Sequence, residues 1–182
     1  MTLLLTLLLA ASPATEQTTP APAASTGAAA SATIGSVKGM LGIARDWLTK
    51  AAAQLPEEHY AFKPTPDVRT AGEIFAHVAD ANFGICGMAS GQKPPMTGIS
   101  KTKKTKAELT EALTASFTFC ESAFNGMTDA QANEVVKFFL PGTHTRLGVL
   151  AFNAAHDFEH YGNIVTYMRM KGLVPPSSAQ GM

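Results

Sequence analysis

The chain has 182 residues, 46% of them hydrophobic, which is enough for one globular domain with a buried core. Fourteen basic residues balance fourteen acidic ones, so the charge gives no reason to expect nucleic acid or an anionic membrane surface as a partner. The one basic cluster, KTKKTK at residues 101–106, is short and contains no aromatic residue, and we interpret it as a solvated loop.

The N-terminal stretch MTLLLTLLLAASPA is too short to span a bilayer but is typical of the apolar core of a secretory signal. Ser12 and Ala14 supply the small residues of a cleavage site, although no Lys or Arg precedes the leucines. Residues 15–32 are rich in Ala, Pro and Thr, which predicts a disordered tether. We therefore expect a signal peptide at 1–14, a folded domain at 33–178, and an exported protein without a stable membrane anchor. A cytoplasmic location is the alternative.

Helical spacing of apolar residues predicts four long helices, at about residues 34–54, 71–90, 106–125 and 146–171. The second and third begin with capping boxes, Thr70 with Glu73 and Thr105 with Glu108. A weaker box, Thr128 with Gln131, predicts a single helical turn. Residues 135–140 are the only candidate for an extended segment. The predicted fold class is therefore all-α, a four-helix bundle.

The loop at residues 91–104 is long for a connection between antiparallel helices. Fully extended it reaches roughly 45 Å, more than the length of a 20-residue helix, so it allows a crossover that leaves the second and third helices parallel. Whether Cys86 and Cys120 can form a disulfide depends on whether the second and third helices are antiparallel or parallel. The two cysteines lie roughly 16 Å apart along the axis in an antiparallel pair and at similar depth in a crossover bundle. The sequence leaves their pairing open.

A line of polar residues runs along the last predicted helix, within a sector of about 80°. Apolar residues border this line, so it is not a solvated face. Two histidines four residues apart are spaced to share a metal ion, although hydrogen-bonded core histidines are the alternative. The line consists of Asn153, His156, His160, Asn163 and Tyr167.

His77 supplies a third histidine, on the most apolar face of the second predicted helix. Ala81 and Gly84 follow it on that face and are small enough to leave room for a ligand. Three histidines with open coordination positions are typical of catalytic Zn²⁺ sites and suit Ni²⁺ or Fe²⁺ equally well. The sequence therefore predicts a divalent metal bound by His77, His156 and His160.

Other histidine patterns are less informative. Residues 156–160 spell the inverted zinc-protease motif H-x-x-E-H, but no Asp or Glu follows Glu159 to complete that ligand set. His59 and His144 precede the second and fourth predicted helices and are interpreted as surface or capping residues.

Residues 55–82 (LPEEHYAFKPTPDVRTAGEIFAHVADAN) and 146–178 (RLGVLAFNAAHDFEHYGNIVTYMRMKGLVPPSS) resemble the DinB-like family of metal-binding four-helix bundles, which includes bacillithiol-transferase-like proteins. The similarity covers about residues 34–178. It implies an up-down-down-up bundle with a long crossover, usually as a homodimer. The DNA-damage association of the family name says nothing about DNA binding, which agrees with the balanced charge. The family's metal ligands, one histidine on the second helix and two on the fourth, map onto His77, His156 and His160.

The resemblance leaves the reaction and the small-molecule substrate open, since the family includes thiol-dependent transferases and proposed hydrolases. Thiol cofactors belong to the reducing cytoplasm, so export favours metal-assisted hydrolysis over thiol S-transfer. Glu159, Asp157 and Tyr167 border the histidine line and are candidates for a base or an orienting group, Glu159 and Tyr167 above all. Packing or surface roles are the alternative for each.

The remaining alternative is a metal-binding or interaction module without catalysis. Gly162, with Ala151, Ala155 and Thr166, forms a strip of small residues on the last helix. A glycine in mid-helix costs about 1 kcal/mol relative to alanine, which the close approach of another helix would explain. That approach would be bundle packing or a dimer contact.

Overall fold

Four long helices account for most of the described chain. The computed structural model describes residues 26–179, and their side chains from residue 31; the predicted signal peptide lies outside the described residues. The long helices are α1 (Thr26–Gln54), α2 (Ala71–Ser90), α4 (Lys106–Ser122) and α6 (Arg146–Met170). Within this part of the chain, no helix combines the length and the apolar composition that crossing a membrane requires.

Short elements fill the connections between the long helices. A 3₁₀ turn (Glu57–His59) follows α1, and the short helices are α3 (Ile99–Thr102), α5 (Asp129–Ala132) and α7 (Pro176–Ala179). Strands β1 (Val135–Val136) and β2 (His144–Thr145) form one antiparallel hairpin before α6. The chain is thus mostly helical, as predicted, with α3 and α7 as short helices that the sequence pattern did not predict.

The predicted helix starts are confirmed by side-chain contacts. Thr70 Oγ1 accepts a hydrogen bond from the backbone N–H of Glu73, and Glu73 Oε2 accepts one from the N–H of Thr70. The boxes of Thr105 with Glu108 and Thr128 with Gln131 are present in the same form. These reciprocal bonds satisfy N–H groups that a helix cannot satisfy internally, which is why such short motifs locate helix starts well.

The ends of two helices differ from the prediction. Helix α1 begins at Thr26, upstream of the predicted start near residue 34, so it includes the last residues of the segment predicted to be a tether. Helix α4 ends at Ser122 rather than near residue 125, and the turn that follows contains Gly126 with a φ of 68°. A positive φ suits glycine and terminates helical geometry there.

Helices α2 and α4 run in the same direction. A Cβ built on Gly72, at the start of α2, would lie 3.4 Å from Leu109 Cδ1, at the start of α4. At the other ends of these helices, Cys86 and Cys120 form a disulfide with their Cα atoms 5.2 Å apart. The long loop therefore makes the crossover that the sequence allowed, and the crossover brings the two cysteines to the same depth.

Asp80 on α2 holds the crossover loop against the helix. Its carboxylate oxygens accept hydrogen bonds from the backbone N–H groups of Ile99 (2.8 Å) and Ser100 (2.9 Å), the first residues of α3. Ile99 itself is buried in the core. The loop is thus fixed in its middle, one helical turn from His77.

Helix α6 runs antiparallel to α2 and packs along it. The hydroxyl of Tyr167, near the end of α6, donates to the carbonyl of Arg69, just before the start of α2 (2.8 Å). Midway along, the side-chain amides of Asn153 and Asn82 lie within hydrogen-bonding distance of each other (2.7 Å). Both asparagines are fully buried in a core otherwise dominated by side chains such as Phe75, Phe83 and Phe117. Hydrogen bonds between buried amides tolerate little sliding, so this pair fixes the register of the two helices.

We expect the double variant Cys86→Ala/Cys120→Ala to lose about 2–4 kcal/mol of unfolding free energy, because the disulfide closes a loop across a sequence separation of 34 residues. Chemical denaturation of the two proteins measures the difference. Intact mass before and after reduction and alkylation checks that the wild-type protein is oxidised. An unchanged unfolding free energy in the double variant would show that helix packing alone holds α2 and α4 together.

Candidate metal centre

Three histidine side chains meet between α2 and α6. His77 Nε2 lies 3.2 Å from His156 Nε2, which lies 3.1 Å from His160 Nε2. The three nitrogen atoms all lie within 4.8 Å of one another. His160 is buried and the other two are half-buried, so the cluster opens toward solvent on one side. The structure thus brings together the three histidines that the sequence predicted to share a metal.

The helices place these side chains for simple geometric reasons. His156 and His160 lie one turn apart on α6, so their rings project side by side. His77 comes from the facing helix at the level set by the Asn82–Asn153 contact. Because two of the three donors share one helix, only the register of α2 against α6 has to be right for the cluster to form.

Two of the three distances between the nitrogen atoms are close to the spacing of ligands around one cation. Two imidazole nitrogens about 2.0–2.1 Å from a zinc ion at a tetrahedral angle lie about 3.3–3.4 Å apart. The observed 3.1 and 3.2 Å are close to that spacing. The donor set suits Zn²⁺, Ni²⁺ or Fe²⁺, and the cluster is therefore compatible with metal binding.

Hydrogen bonding alone accounts poorly for the same arrangement. An imidazole nitrogen carries either one N–H or one lone pair, so His156 Nε2 cannot make a full hydrogen bond to both neighbours at once. His156 Nδ1 is also buried without a partner among the described residues. A cation at the meeting point of the three nitrogens would use all three lone pairs together.

The electrostatics of the cluster favour neutral imidazoles. Burial is the main cause that lowers the pKa of His77 and of His156 below the usual value. For His160, burial and the neighbouring His156 and His77 lower the pKa to about 4. A metal ligand must be unprotonated, so these shifts keep the three rings ready to bind a cation at neutral pH.

A polar cavity of about 490 Å³ opens on one side of the cluster. Its lining includes Asp67, Arg69, His160, Asn163 and Tyr167. The structure therefore places Asn163 and Tyr167 beside the histidines, as their spacing on the helix predicted. The hydroxyl hydrogen of Tyr167 is engaged by the Arg69 carbonyl, while Asn163 Nδ2 lies 3.4 Å from His160 Nδ1.

Sequence reasoning missed Arg69. It stands directly before the capping box of α2, and nothing in its local pattern distinguishes it from a loop arginine. Its positive charge lowers the pKa of all three histidines, so it lies near the cluster. The signal that the sequence offered was the position of Arg69 directly before the start of α2, the helix that carries His77. In the structure its carbonyl accepts a hydrogen bond from Tyr167, which was predicted to face the site.

The side chains of Asn153 and Asp157 lie inside the core. Both are fully buried, Asn153 Nδ2 donates to Asp157 Oδ2 (3.2 Å), and the amide of Asn82 lies against Asn153. Burial raises the pKa of Asp157 well above its usual value. Asn153 thus lies at the core end of the histidine line, and Asp157 has the packing role that was the alternative to a base or an orienting group. Both residues belong to a polar network inside the core.

Glu159 is exposed near the cluster. Its negative charge raises the pKa of His77 and of His156, so the field of this carboxylate reaches both rings. No described hydrogen bond ties it to another side chain. Glu159 is thus free to approach a molecule bound at the histidines.

The remaining sequence candidates lie away from the cluster. His59 ends the 3₁₀ turn after α1, and His144 lies in β2 with its ring 5.1 Å from that of Phe138. Thr145 caps α6 by accepting a hydrogen bond from the N–H of Gly148. Gly162 is exposed, and a Cβ there would contact nothing within 4 Å, so packing within the described chain does not explain this glycine.

Comparison with known proteins gives one family and one fold. The sequence profile of the DinB superfamily matches residues 40–164, whereas no curated protein matches the chain. A DinB-like protein from Bacillus cereus ATCC 10987 aligns with a TM-score of 0.64 at 18% identity, covering 73% of this chain and 89% of that one.

Two further solved structures agree. The DinB-like protein YjoA from Bacillus subtilis has a TM-score of 0.61 at 17% identity and covers 75% of this chain and 92% of its own. A conserved protein from Enterococcus faecalis has a TM-score of 0.59 at 16% identity and covers 73% and 93%. At these identities the structures show a shared fold, and the profile match over most of the domain shows that the chain belongs to the DinB superfamily.

Proposed function

We propose that His77, His156 and His160 bind one divalent metal ion, Zn²⁺, Ni²⁺ or Fe²⁺, and that the protein uses it as a hydrolase on a small substrate. The observation that carries the proposal is the convergence of three histidine nitrogens, which lie 3.2 and 3.1 Å apart in two pairs and within 4.8 Å of one another overall. Three protein ligands leave coordination positions for water and substrate.

A divalent cation bound there would supply Lewis acidity and would lower the pKa of a coordinated water to about 7. The chain's own residues are placed to assist hydrolysis. Glu159, exposed beside His77 and His156, would accept the proton from the attacking water. Tyr167 lines the polar cavity, and its ring would orient the substrate there. Its hydroxyl donates a hydrogen bond to the Arg69 carbonyl, which fixes the position of the ring. The Arg69 guanidinium would stabilise negative charge that develops on the substrate.

We further infer that the long helices form an up-down-down-up four-helix bundle. The shared direction of α2 and α4 and the opposite direction of α6 support this topology. The hydrogen bonds from Lys106 Nζ, at the start of α4, to the carbonyls of Ala53 and Leu55, at the end of α1, make α1 antiparallel to α4.

We also propose that the protein is exported and forms a homodimer. The Cys86–Cys120 disulfide supports export, because disulfides persist mainly in oxidising compartments. An oxidising location also disfavours thiol S-transfer relative to hydrolysis. The exposed small residues Ala155, Gly162 and Thr166 on α6 support a close contact with a second copy.

Replacing His77, His156 or His160 with alanine should abolish binding of one metal equivalent, because the cluster of ligand atoms among the described residues consists of these three histidines alone. Metal analysis of purified protein measures occupancy, and thermal denaturation with and without chelator measures the stabilisation that bound metal provides. His59→Ala and His144→Ala are the controls and should keep full occupancy. Wild-type occupancy in all three cluster variants would make these histidines hydrogen-bonded core residues.

The metal-free protein should lose stability as the pH falls from about 7 to 5, and His160 should contribute to that loss. The unfolded chain binds a proton on this histidine at a pKa of about 6.5, whereas the folded chain does so only at about 4. Between these values the unfolded state binds more protons, so stability decreases as the pH decreases. With chelator present, the drop in melting temperature from pH 7.5 to pH 5.0 should be larger for the wild type than for His160→Asn. Equal falls would show that this ring is protonated equally in both states.

Glu159→Gln should lower kcat by about 10²–10⁴-fold while metal occupancy stays complete, as expected for removal of a general base. The substrate is first selected from a panel of esters, amides and thiol-transfer pairs with the metal-loaded protein. Glu111→Gln is the control, since Glu111 is an exposed glutamate on α4 that lines a different cavity. Unchanged kcat in Glu159→Gln would assign the base to another group, and turnover confined to thiol pairs would replace hydrolysis with thiol transfer.

A further inference from the structure

A second cavity lies along the face of α2 that carries His77. We call the surface that runs from the polar cavity past the histidines to this second cavity the groove. The volume of the second cavity is about 490 Å³, and its lining includes Gly84, Met88, Pro94, Phe138 and Phe139. We call it the phenylalanine cavity. This size falls within the range of sites for small organic ligands, which are mostly apolar.

One wall of the groove is continuous between the histidines and the phenylalanine cavity. His77, Ala81, Gly84 and Met88 follow one another on successive turns of a single face of α2, and exposure increases along this series. Two helical turns separate His77 from Gly84, which corresponds to roughly 10 Å.

Aromatic rings form the opposite wall. The ring of Phe152 stacks on that of His156 at a centroid distance of 6.4 Å. Phe152 in turn contacts Phe138 (5.2 Å) and Phe139 (6.0 Å), which come from the loop between β1 and β2. An apolar surface therefore leads from a predicted metal ligand into the cavity.

Gly84 has no explanation within the described chain. A glycine inside a helix is less favourable than alanine, yet a Cβ at Gly84 would contact nothing within 4 Å. Gly87 differs, because a Cβ there would lie 3.1 Å from the carbonyl oxygen of Gln92. The absence of a side chain at Gly84 keeps the floor of the cavity open.

The rim of the cavity exposes large apolar side chains. Phe139 is 60% exposed and Met88 is 38% exposed. Both would lose unfavourable contact with water if an apolar group occupied the cavity. The polar cavity with Arg69 and Tyr167 lies at the opposite side of the histidines, so the two ends of the groove differ in chemistry.

We propose that the phenylalanine cavity binds the apolar part of the substrate, so that the substrate is an amphiphile. Its hydrolysable polar group lies at the histidines, and its aliphatic or aromatic group lies between Gly84 and the rings of Phe138 and Phe139. The inference rests on the proposed function for the position of the reacting group, but the binding of an apolar group in this cavity does not require metal.

The first experiment tests the cavity alone, with the neutral fluorescent compound N-phenyl-1-naphthylamine and metal-free protein. Wild type should bind the probe, and Gly84→Leu, which fills the cavity, should weaken binding at least tenfold. Gly35→Leu is the matched control, because Gly35 is also an exposed glycine inside a long helix, α1, and has no contacts. Phe139→Ala, a change at a largely exposed site, should weaken binding as well and provides a second test if Gly84→Leu misfolds. Equal binding by wild type and the cavity variants overturns the proposal.

The second experiment connects the cavity to the histidines, with zinc-loaded protein and two zinc-binding compounds, acetohydroxamate and octanohydroxamate. Calorimetry should give an affinity at least tenfold higher for the longer compound in wild type. In Gly84→Leu this ratio should fall to about one while acetohydroxamate binding persists. A ratio unchanged by Gly84→Leu overturns the proposal. Absence of binding by both hydroxamates overturns the metal function instead, and the first experiment then decides whether the cavity binds apolar groups.

Size-exclusion chromatography with light scattering separates a ligand site from a subunit contact. We expect Gly84→Leu and wild type to have the same oligomeric state. A shift from dimer to monomer in this variant would show that a second copy of the chain covers the cavity, which overturns the proposal.

Discussion

The register of α2 against α6 is the constraint on which the candidate site depends. His156 and His160 are close to each other in any conformation that keeps α6 helical, but His77 joins them only at one relative position of the two helices. The buried contact between Asn82 and Asn153 sets that position. A shift by one helical turn would move His77 by about 5.4 Å and would leave both amides without partners in the core. The free-energy cost of leaving the Asn82 and Asn153 amides without partners therefore keeps α2 and α6 in the register that brings the three histidines together.

The same asparagine extends the constraint to α4. Asn82 lies next to Ser116 on α4, and the disulfide between Cys86 and Cys120 joins these two helices one turn further on. Helix α2 is thus held on one side by a covalent bond and on the other by hydrogen bonds. Since α2 carries His77, fixing α2 on both sides limits how far the cluster can open. We infer that the disulfide contributes to the order of the site as well as to stability.

Features that depend on a few neighbouring residues could be predicted from the sequence, and features that depend on distant residues could not. Capping boxes and apolar spacing act within a few residues, so the starts of α2, α4 and α6 and the pairing of His156 with His160 were predictable. The crossover direction and the disulfide involve residues far apart in sequence, and the pattern left both open. The burial of Asn153 and Asp157 could not be predicted for a related reason. Asn153 lies in the histidine line and Asp157 borders it, and only the neighbouring helices decide which part of that line faces the core.

The groove that contains the histidines carries several features that cost stability. Burial lowers the pKa of the three imidazoles, Gly84 lies inside helix α2 without a packing reason, and Phe139 is 60% exposed to water. Each feature alone is common on protein surfaces. Together they follow one line, from the polar cavity with Arg69 through the histidines to the phenylalanine cavity. Features that weaken the free protein and share one groove are best explained by a ligand that compensates for them on binding. A metal ion would satisfy the three nitrogen atoms, but it would leave Gly84 and Phe139 as they are. The arrangement therefore calls for a second ligand component with apolar surface, bound beside the ion.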